Sequence, residues 1–141
     1  MPFVLDASAA LAWCFADEAS LFSLALLRRL MESEEAIVPA HWAAEMLSAL
    51  MQGKRRGRID DLGIERFISN LASFRISIEQ SPAIAELPRW KALSDKHNLS
   101  AYDAEYLRLA KRTGLPLATL DIALVKACRA EAVAVLTEAA S

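Results

Sequence analysis

Four carboxylates stand where a folded chain could bring them to one place. Asp6 ends the apolar run Phe3-Val4-Leu5, and Asp121 follows Leu117-Ala118-Thr119-Leu120. Glu45 lies in the early turns of a helical pattern that begins just past Pro39. Asp103 lies in the first turn of a helical pattern that Ser100 can cap. If the apolar runs are strands of a parallel sheet, all four acids reach its carboxyl rim, the edge where open α/β sheets bind ligands. Carboxylates that converge without histidine or cysteine favour a hard divalent cation, Mg2+ or Mn2+, over zinc or copper. The cation relieves their mutual repulsion. Such a site could activate water and neutralise a phosphodiester during in-line displacement. Each acid alone also has a plain structural use. An acid in a helix's first turn is favoured by the macrodipole, and Ser100-x-x-Asp103 resembles a capping box. The joint placement distinguishes the two: two acids directly follow apolar strands, and two precede apolar helix faces.

These acids need strands and helices that alternate. Phe3-Val4-Leu5 reads as a strand buried on both faces. A helix is expected over roughly Ser8 to Phe15. A second opens at Asp17-Glu18 with Leu21, Phe22, Leu24, Leu27, Leu30 and Met31 on its apolar face. Ala36-Ile37-Val38 reads as a strand closed by Pro39. A third helix runs from near Ala40 through Met51 and ends in Gly53-Lys54-Arg55-Arg56-Gly57-Arg58. Asp60 or Asp61 caps a fourth helix, and Arg75-Ile76-Ser77-Ile78 alternates as a strand. Ser81-Pro82 is expected to open the next helix, with Pro88 kinking or restarting it. Ser100 caps a helix that Gly114 ends. A strand to Leu120, a helix to about Glu131 and a last strand, Val133-Ala134-Val135-Leu136, complete the pattern. Strands alternating with helices imply parallel pairing and right-handed crossovers.

The bulk properties agree with a packed enzyme-sized unit. At 141 residues, one domain spanning 1–141 is expected. A composition 55% hydrophobic excludes a disordered chain. A net charge of −2 excludes a wholly basic nucleic-acid binder but allows a local basic stripe. Cys14 and Cys128 lie far apart, with no Cys-x-x-Cys and no Cys/His cluster, so neither a zinc site nor a disulfide framework is indicated. With no signal-peptide pattern and no apolar run of membrane length, a soluble cytoplasmic protein is expected.

Four stretches resemble the PIN-domain family, specifically the VapC toxin ribonucleases. Phe3-Val4-Leu5-Asp6-Ala7-Ser8 is similar to its opening, and Pro39-Ala40-His41-Trp42-Ala43-Ala44-Glu45-Met46-Leu47 to its second motif. Leu99-Ser100-Ala101-Tyr102-Asp103-Ala104 resembles the third and is the most specific. Leu117-Ala118-Thr119-Leu120-Asp121 resembles the fourth. The match runs in order over nearly the whole chain. It implies an α/β/α sandwich around a mostly parallel sheet of about five strands. It also implies Mg2+- or Mn2+-dependent endonuclease action on RNA, a cognate antitoxin and a homodimer. By the family's pattern Asp6, Glu45, Asp103 and Asp121 form the acidic quartet. Asp6, Asp103 and Asp121 are implied direct metal ligands, and Glu45 a ligand directly or through water. Ser8 and Thr119 map to polar residues lining the quartet. Two positions depart from the pattern. Ser48 stands where asparagine is common, which weakens support for the acids. Ala132 stands where glycine commonly precedes the last strand, so that helix is expected to close differently.

Lys54, Arg55, Arg56 and Arg58 form the one basic cluster. It suits either a solvated helix end or contact with RNA or antitoxin. His41 and His97 accompany no nucleophile motif, so Ser-His-Asp and Cys-His chemistry have no support. His41 reads as a rim or packing residue. Leu11, Trp13, Phe15 and Trp42 read chiefly as core, with dimerisation as their other use. Two alternatives to a nuclease remain: a receiver-like signalling domain, and a catalytically silent binding module of the same fold. The receiver needs an acid pair after strand one, where Asp6 is followed by Ala7. It also needs a phospho-accepting aspartate after the middle strand, where the chain places Glu79.

Overall fold

The computed structural model describes residues 1–136. The expected domain, 1–141, ends in five residues outside that range. Five strands, β1 (Phe3–Leu5), β2 (Glu35–Val38), β3 (Arg75–Ile78), β4 (Leu117–Ala118) and β5 (Val135–Leu136), form one sheet in the order β3-β2-β1-β4-β5. Every pair is parallel; Val4 lies between Ile37 on one side and Leu117 on the other. The helices are α1 (Ala7–Leu11), α2 (Leu21–Met31), α3 (Trp42–Arg55), α4 (Asp61–Ala72), α5 (Leu87–His97), α6 (Ala101–Thr113) and α7 (Ile122–Ala130). The chain steps outward from β1 to β2 and β3, then returns to the other side for β4 and β5. Right-handed crossovers therefore put α1 to α4 on one face and α5 to α7 on the other. This is the expected α/β/α sandwich, with the sheet wholly parallel. A flavodoxin-type receiver orders its strands 2-1-3-4-5, so the topology departs from the receiver alternative.

The step from β1 to β4 is where the strand order reverses. Open α/β sheets bind ligands at the carboxyl ends of the two strands flanking such a reversal. Here those ends carry Asp6 and the segment Thr119 to Asp121. β1 is completely buried, as expected for an apolar central strand covered on both faces. Around it pack Phe22, Leu26 and Leu30 from α2, Trp42, Met46 and Leu50 from α3, and Tyr106, Leu107 and Leu109 from α6. Phe15 and Trp42 are buried, while Leu11 and Trp13 pack partly buried against the core. These four residues serve the interior.

Three boundaries differ from the sequence expectation. α1 stops at Leu11, because the chain turns through Trp13 and Cys14 to reach the next layer. Asp17-Glu18 forms only a short 3-10 turn; α2 starts after Ser20, whose reciprocal capping box with Ser23 satisfies the exposed amides. Ser81-Pro82 does not open a helix. A 3-10 turn spans Ile84–Glu86, and α5 begins at Leu87 with Pro88 in its first turn, where a missing N–H costs nothing. Pro88 thus starts the helix rather than kinking it.

Beyond α7 the helix closes as a glycine-ended helix would. Ala132 sits at φ +58°, Val133 N–H donates to Cys128 O at 2.8 Å, and Ala132 N–H donates to Arg129 O at 3.3 Å. This is the Schellman arrangement with alanine in the left-handed position. The expected different closure is absent, since the chain must still turn sharply into β5. A left-handed alanine costs roughly 1–2 kcal/mol, partly offset by glycine's greater unfolded-state freedom. Ala132→Gly should therefore stabilise the protein by about 0.5–1 kcal/mol, a rise of a few degrees in melting temperature. An unchanged or lower melting temperature would show that no strain is held there. Beside this turn Glu131 accepts hydrogen bonds from Lys96 and Lys111 at 2.7 Å, with His97 Nε2 at the same distance. Lys111, Lys96 and His97 together pull its carboxyl down to about 2, and the cluster ties α5, α6 and the end of α7 together.

Candidate active site

Asp6 is the last residue before α1 and caps it. Its extended backbone carries the carboxylate off the end of β1. Asp6 N–H donates to Ala118 O at 3.0 Å, locking it to the end of β4. The side chain is only 5% exposed. Its Oδ2 accepts from Thr119 Oγ1 at 2.6 Å and from Ser8 Oγ at 2.9 Å, while Oδ1 has only a long 3.4 Å contact from Ser8 N–H. Thr119 Oγ1 in turn accepts from Asp121 N–H at 3.0 Å. One buried threonine therefore links the two strand-end acids. Asp121 caps α7, with Oδ1 accepting from Ala123 and Leu124 N–H. Its Oδ2 has no hydrogen bond among the described residues.

Glu45 and Asp103 come from the two opposite layers. Glu45 lies in the first turn of α3, and its Oε1 accepts from the Tyr106 hydroxyl at 2.7 Å. Asp103 lies in the first turn of α6, where Ser100 Oγ accepts from its N–H at 3.1 Å. Burial raises the affinity of Asp6 for a proton, the Thr119 and Ser8 hydrogen bonds offset part of the rise, and the charge of Glu45 adds to it. Burial also raises Asp103, followed by the charges of Asp121 and then Glu45. The four sequence-chosen acids thus share one electrostatic neighbourhood at the strand-order reversal.

One residue absent from the sequence-derived candidates contacts them. Tyr106 lies on α6 three residues after Asp103, the spacing that puts both on one helix face. That spacing was the available signal, but a tyrosine on an amphipathic helix reads as core. His41, expected as a rim or packing residue, packs with its ring centroid 5.3 Å from Tyr102 and 5.2 Å from Tyr106. Its Nε2 comes within 2.9 Å of Glu45 Oε1 but not in hydrogen-bond geometry. Ser48 is one turn beyond Glu45 on α3, exposed, and bonds to none of the acids among the described residues. Ser8 and Thr119 meet Asp6 directly.

The all-oxygen donor set suits a hard cation such as Mg2+ or Mn2+. Asp6 Oδ1 and Asp121 Oδ2 have acceptor capacity to spare. Among the described residues, no three acidic, histidine or cysteine side chains are drawn together into a metal-holding group. Two clefts lie elsewhere. One of about 790 Å3 includes Glu79, Glu86, Arg89, Arg108 and Arg112, and an apolar one of about 610 Å3 includes Leu87, Pro88 and Trp90. None of the four acids lines either.

The basic cluster divides in two. Arg58 Nη2 donates to Asp17 at 2.8 and 3.0 Å and to Glu18 at 3.3 Å, and the guanidinium lies 4.2 Å over the Phe15 ring. A side chain at Gly53 would come within 2.8 Å of that same ring, so Gly53 lets Phe15 pack against α3. Lys54 pairs with Asp61 at 2.8 Å. Arg55 and Arg56 are exposed and form no ion pair among the described residues.

The PIN domain family model matches residues 3–130. The chain is 31% identical over 122 residues to VapC ribonuclease Mb0985 of Mycobacterium bovis, covering 86% of this chain and 87% of that one. The same figures hold for ribonuclease VapC9 of Mycobacterium tuberculosis. Among solved structures it is similar to PAE2754 from Pyrobaculum aerophilum (TM-score 0.69, 23% identity, covering 90% of this chain and 84% of that one). It is also similar to FitAcB from Neisseria gonorrhoeae (TM-score 0.61, 19% identity, 97% of each chain). At these identities the solved structures corroborate the fold.

Proposed function

The chain belongs to the PIN domain family as a VapC-type member, and from that premise we propose that it is a divalent-metal-dependent endoribonuclease, the toxin of a cytoplasmic toxin–antitoxin pair. One observation carries this reading. The Asp6–Thr119–Asp121 linkage lies at the strand-order reversal, with Glu45 and Asp103 brought to it from opposite layers. Asp6, Asp103, Asp121 and Glu45 would hold Mg2+ or Mn2+, which supplies an acidified water and neutralises charge on the phosphodiester. The residues of this chain do the rest. Thr119 and Ser8 fix one oxygen of Asp6, and the other has a long 3.4 Å contact from Ser8 N–H that leaves it room for a ligand. Asp121 and Asp6 each cap a helix, so their carboxylates are anchored by backbone amides. The partners in this reading are RNA, a cognate antitoxin and a second copy of the chain. No helix among the described residues is long and apolar enough to cross a membrane.

Incubating purified protein with a defined RNA and sequencing both product ends tests the reaction type. Hydrolysis by water leaves a 5′-phosphate and a 3′-hydroxyl. A 2′,3′-cyclic phosphate would instead identify the RNA's own 2′-hydroxyl as nucleophile and overturn this chemistry. No metal-dependent cleavage at all would favour the catalytically silent module.

An acidic site repels RNA, so cations elsewhere must hold the backbone. With Lys54 and Arg58 engaged by Asp61 and by Asp17 and Glu18, Arg55 and Arg56 are the members of the basic cluster left to contact it. Arg55 lies ten residues past Glu45 on α3, about 15 Å along the helix, or two to three nucleotides of extended strand. Replacing Arg55 and Arg56 together with Gln should make the slope of log K against log salt shallower by roughly one unit and weaken binding alike for all sequences. An unchanged slope would leave the segment as a solvated helix end.

A further inference from the structure

We propose that Tyr106 is the positioning residue of the site, its hydroxyl setting the carboxylate of Glu45 and tying it to the turn that carries Asp6. This rests on the reading of the four acids as a cation site.

The ring of Tyr106 is fully buried in the core. Its oxygen reaches two other elements, α1 and α3. Ala7 N–H, directly after Asp6, donates to it at 3.3 Å, and it donates to Glu45 Oε1 at 2.7 Å. A phenol has one proton and can also accept. Because the backbone amide can only donate, it takes up the accepting capacity, and the phenolic proton goes to Glu45. The direction of the bond is therefore fixed. The His41 ring stacks edge-on at 5.2 Å and holds the tyrosine from one side.

Glu45 is held through its side chain rather than by a helix cap. Asp6 and Asp121 are fixed by the helices they cap, and Asp103 is fixed in its backbone by Ser100. Glu45 has a longer side chain, is one-third exposed and is not a cap. Its one hydrogen bond among the described residues is the one from Tyr106. That bond occupies Oε1 and leaves Oε2 for a ligand. Because Tyr106 and Asp103 share a face of α6, the same helix that supplies one acid also orients another.

The decisive experiment is a double-mutant cycle of Tyr106→Phe and Glu45→Ala on the full chain, alanine leaving no acceptor for the tyrosine. Mn2+ affinity is read by calorimetry, kcat and KM by cleavage of a short RNA, and melting temperature is read without metal. Phenylalanine keeps the buried ring and removes only the hydroxyl. Tyr106→Phe should weaken Mn2+ binding by roughly tenfold, within the range usual for losing a hydrogen bond to a ligand. It should lower kcat at fixed metal while KM for RNA stays put. In the Glu45→Ala background the same change should have little further effect on Mn2+ affinity. Equal loss in both backgrounds, or wild-type Mn2+ affinity and kcat in Tyr106→Phe, would overturn the proposal. If the wild-type protein binds no Mn2+, the metal reading itself fails. The melting-temperature cycle then still decides, with additive shifts showing that Tyr106 does not act through Glu45.

Discussion

Asp6→Asn and Asp103→Ala should each reduce RNA cleavage by on the order of 10²–10³-fold or more, the scale seen when a preorganised electrostatic group is removed from an active site. Both should also abolish toxicity when the chain is expressed without a partner. The structure adds a sharper expectation for Asp6. Its carboxylate is buried, and burial is the main reason its proton affinity is raised. In the folded protein without metal, the ionised form is therefore held at a cost. Asparagine keeps the shape, keeps an acceptor for Thr119 and Ser8, and removes the charge. Asp6→Asn should thus melt at or above the wild-type temperature in the absence of metal while losing activity, the trade-off expected where a site stores strain for function. A variant that unfolds would show that the carboxylate is needed for the fold. Cleavage retained in a folded Asp6→Asn or Asp103→Ala variant would remove that residue from the chemistry.

The second large effect is on stability. Burial, Asp121 and Glu45 all push the Asp103 carboxyl up, which is how repulsion among neighbouring acids registers in one of them. A cation that binds the folded state relieves that repulsion. It stabilises the protein by mass action, by about 2.7 kcal/mol at a hundredfold excess over Kd. For a chain of this length that corresponds to a melting temperature higher by roughly 10 °C. Mg2+ and Mn2+ should both give the effect, and Asp6→Asn should reduce it. Identical wild-type melting curves with and without millimolar metal would remove the cation from this site.

The acids were legible because their positions are local facts. An apolar strand that ends in aspartate, and a helix cap followed by an acid, can be read within a few residues. Parallel topology then carries them all to one rim. What was not legible depends on distant partners. Arg58 reads as part of a basic run, yet it reaches back 41 residues to Asp17. Tyr106 reads as core, and it is core, but its hydroxyl meets Ala7 and Glu45, 99 and 61 residues away. Proline misled once: Ser81-Pro82 is a good helix opening by local rules, but the chain uses Pro88 instead, after the loop that leads away from β3. Ala132 shows the converse. The residue type argued for another closure, and the geometry of entering β5 imposed a left-handed turn on alanine all the same.

The most direct measurement is single-turnover cleavage of an end-labelled RNA by the purified protein, stripped with EDTA and then resupplied with Mg2+ or Mn2+. A carboxylate-held cation at this site should give no cleavage in EDTA, recovery with either cation, and no recovery in Asp103→Ala at any metal concentration. Cleavage by wild-type protein that persists in EDTA, or an Asp103→Ala variant that recovers alongside it, would contradict it.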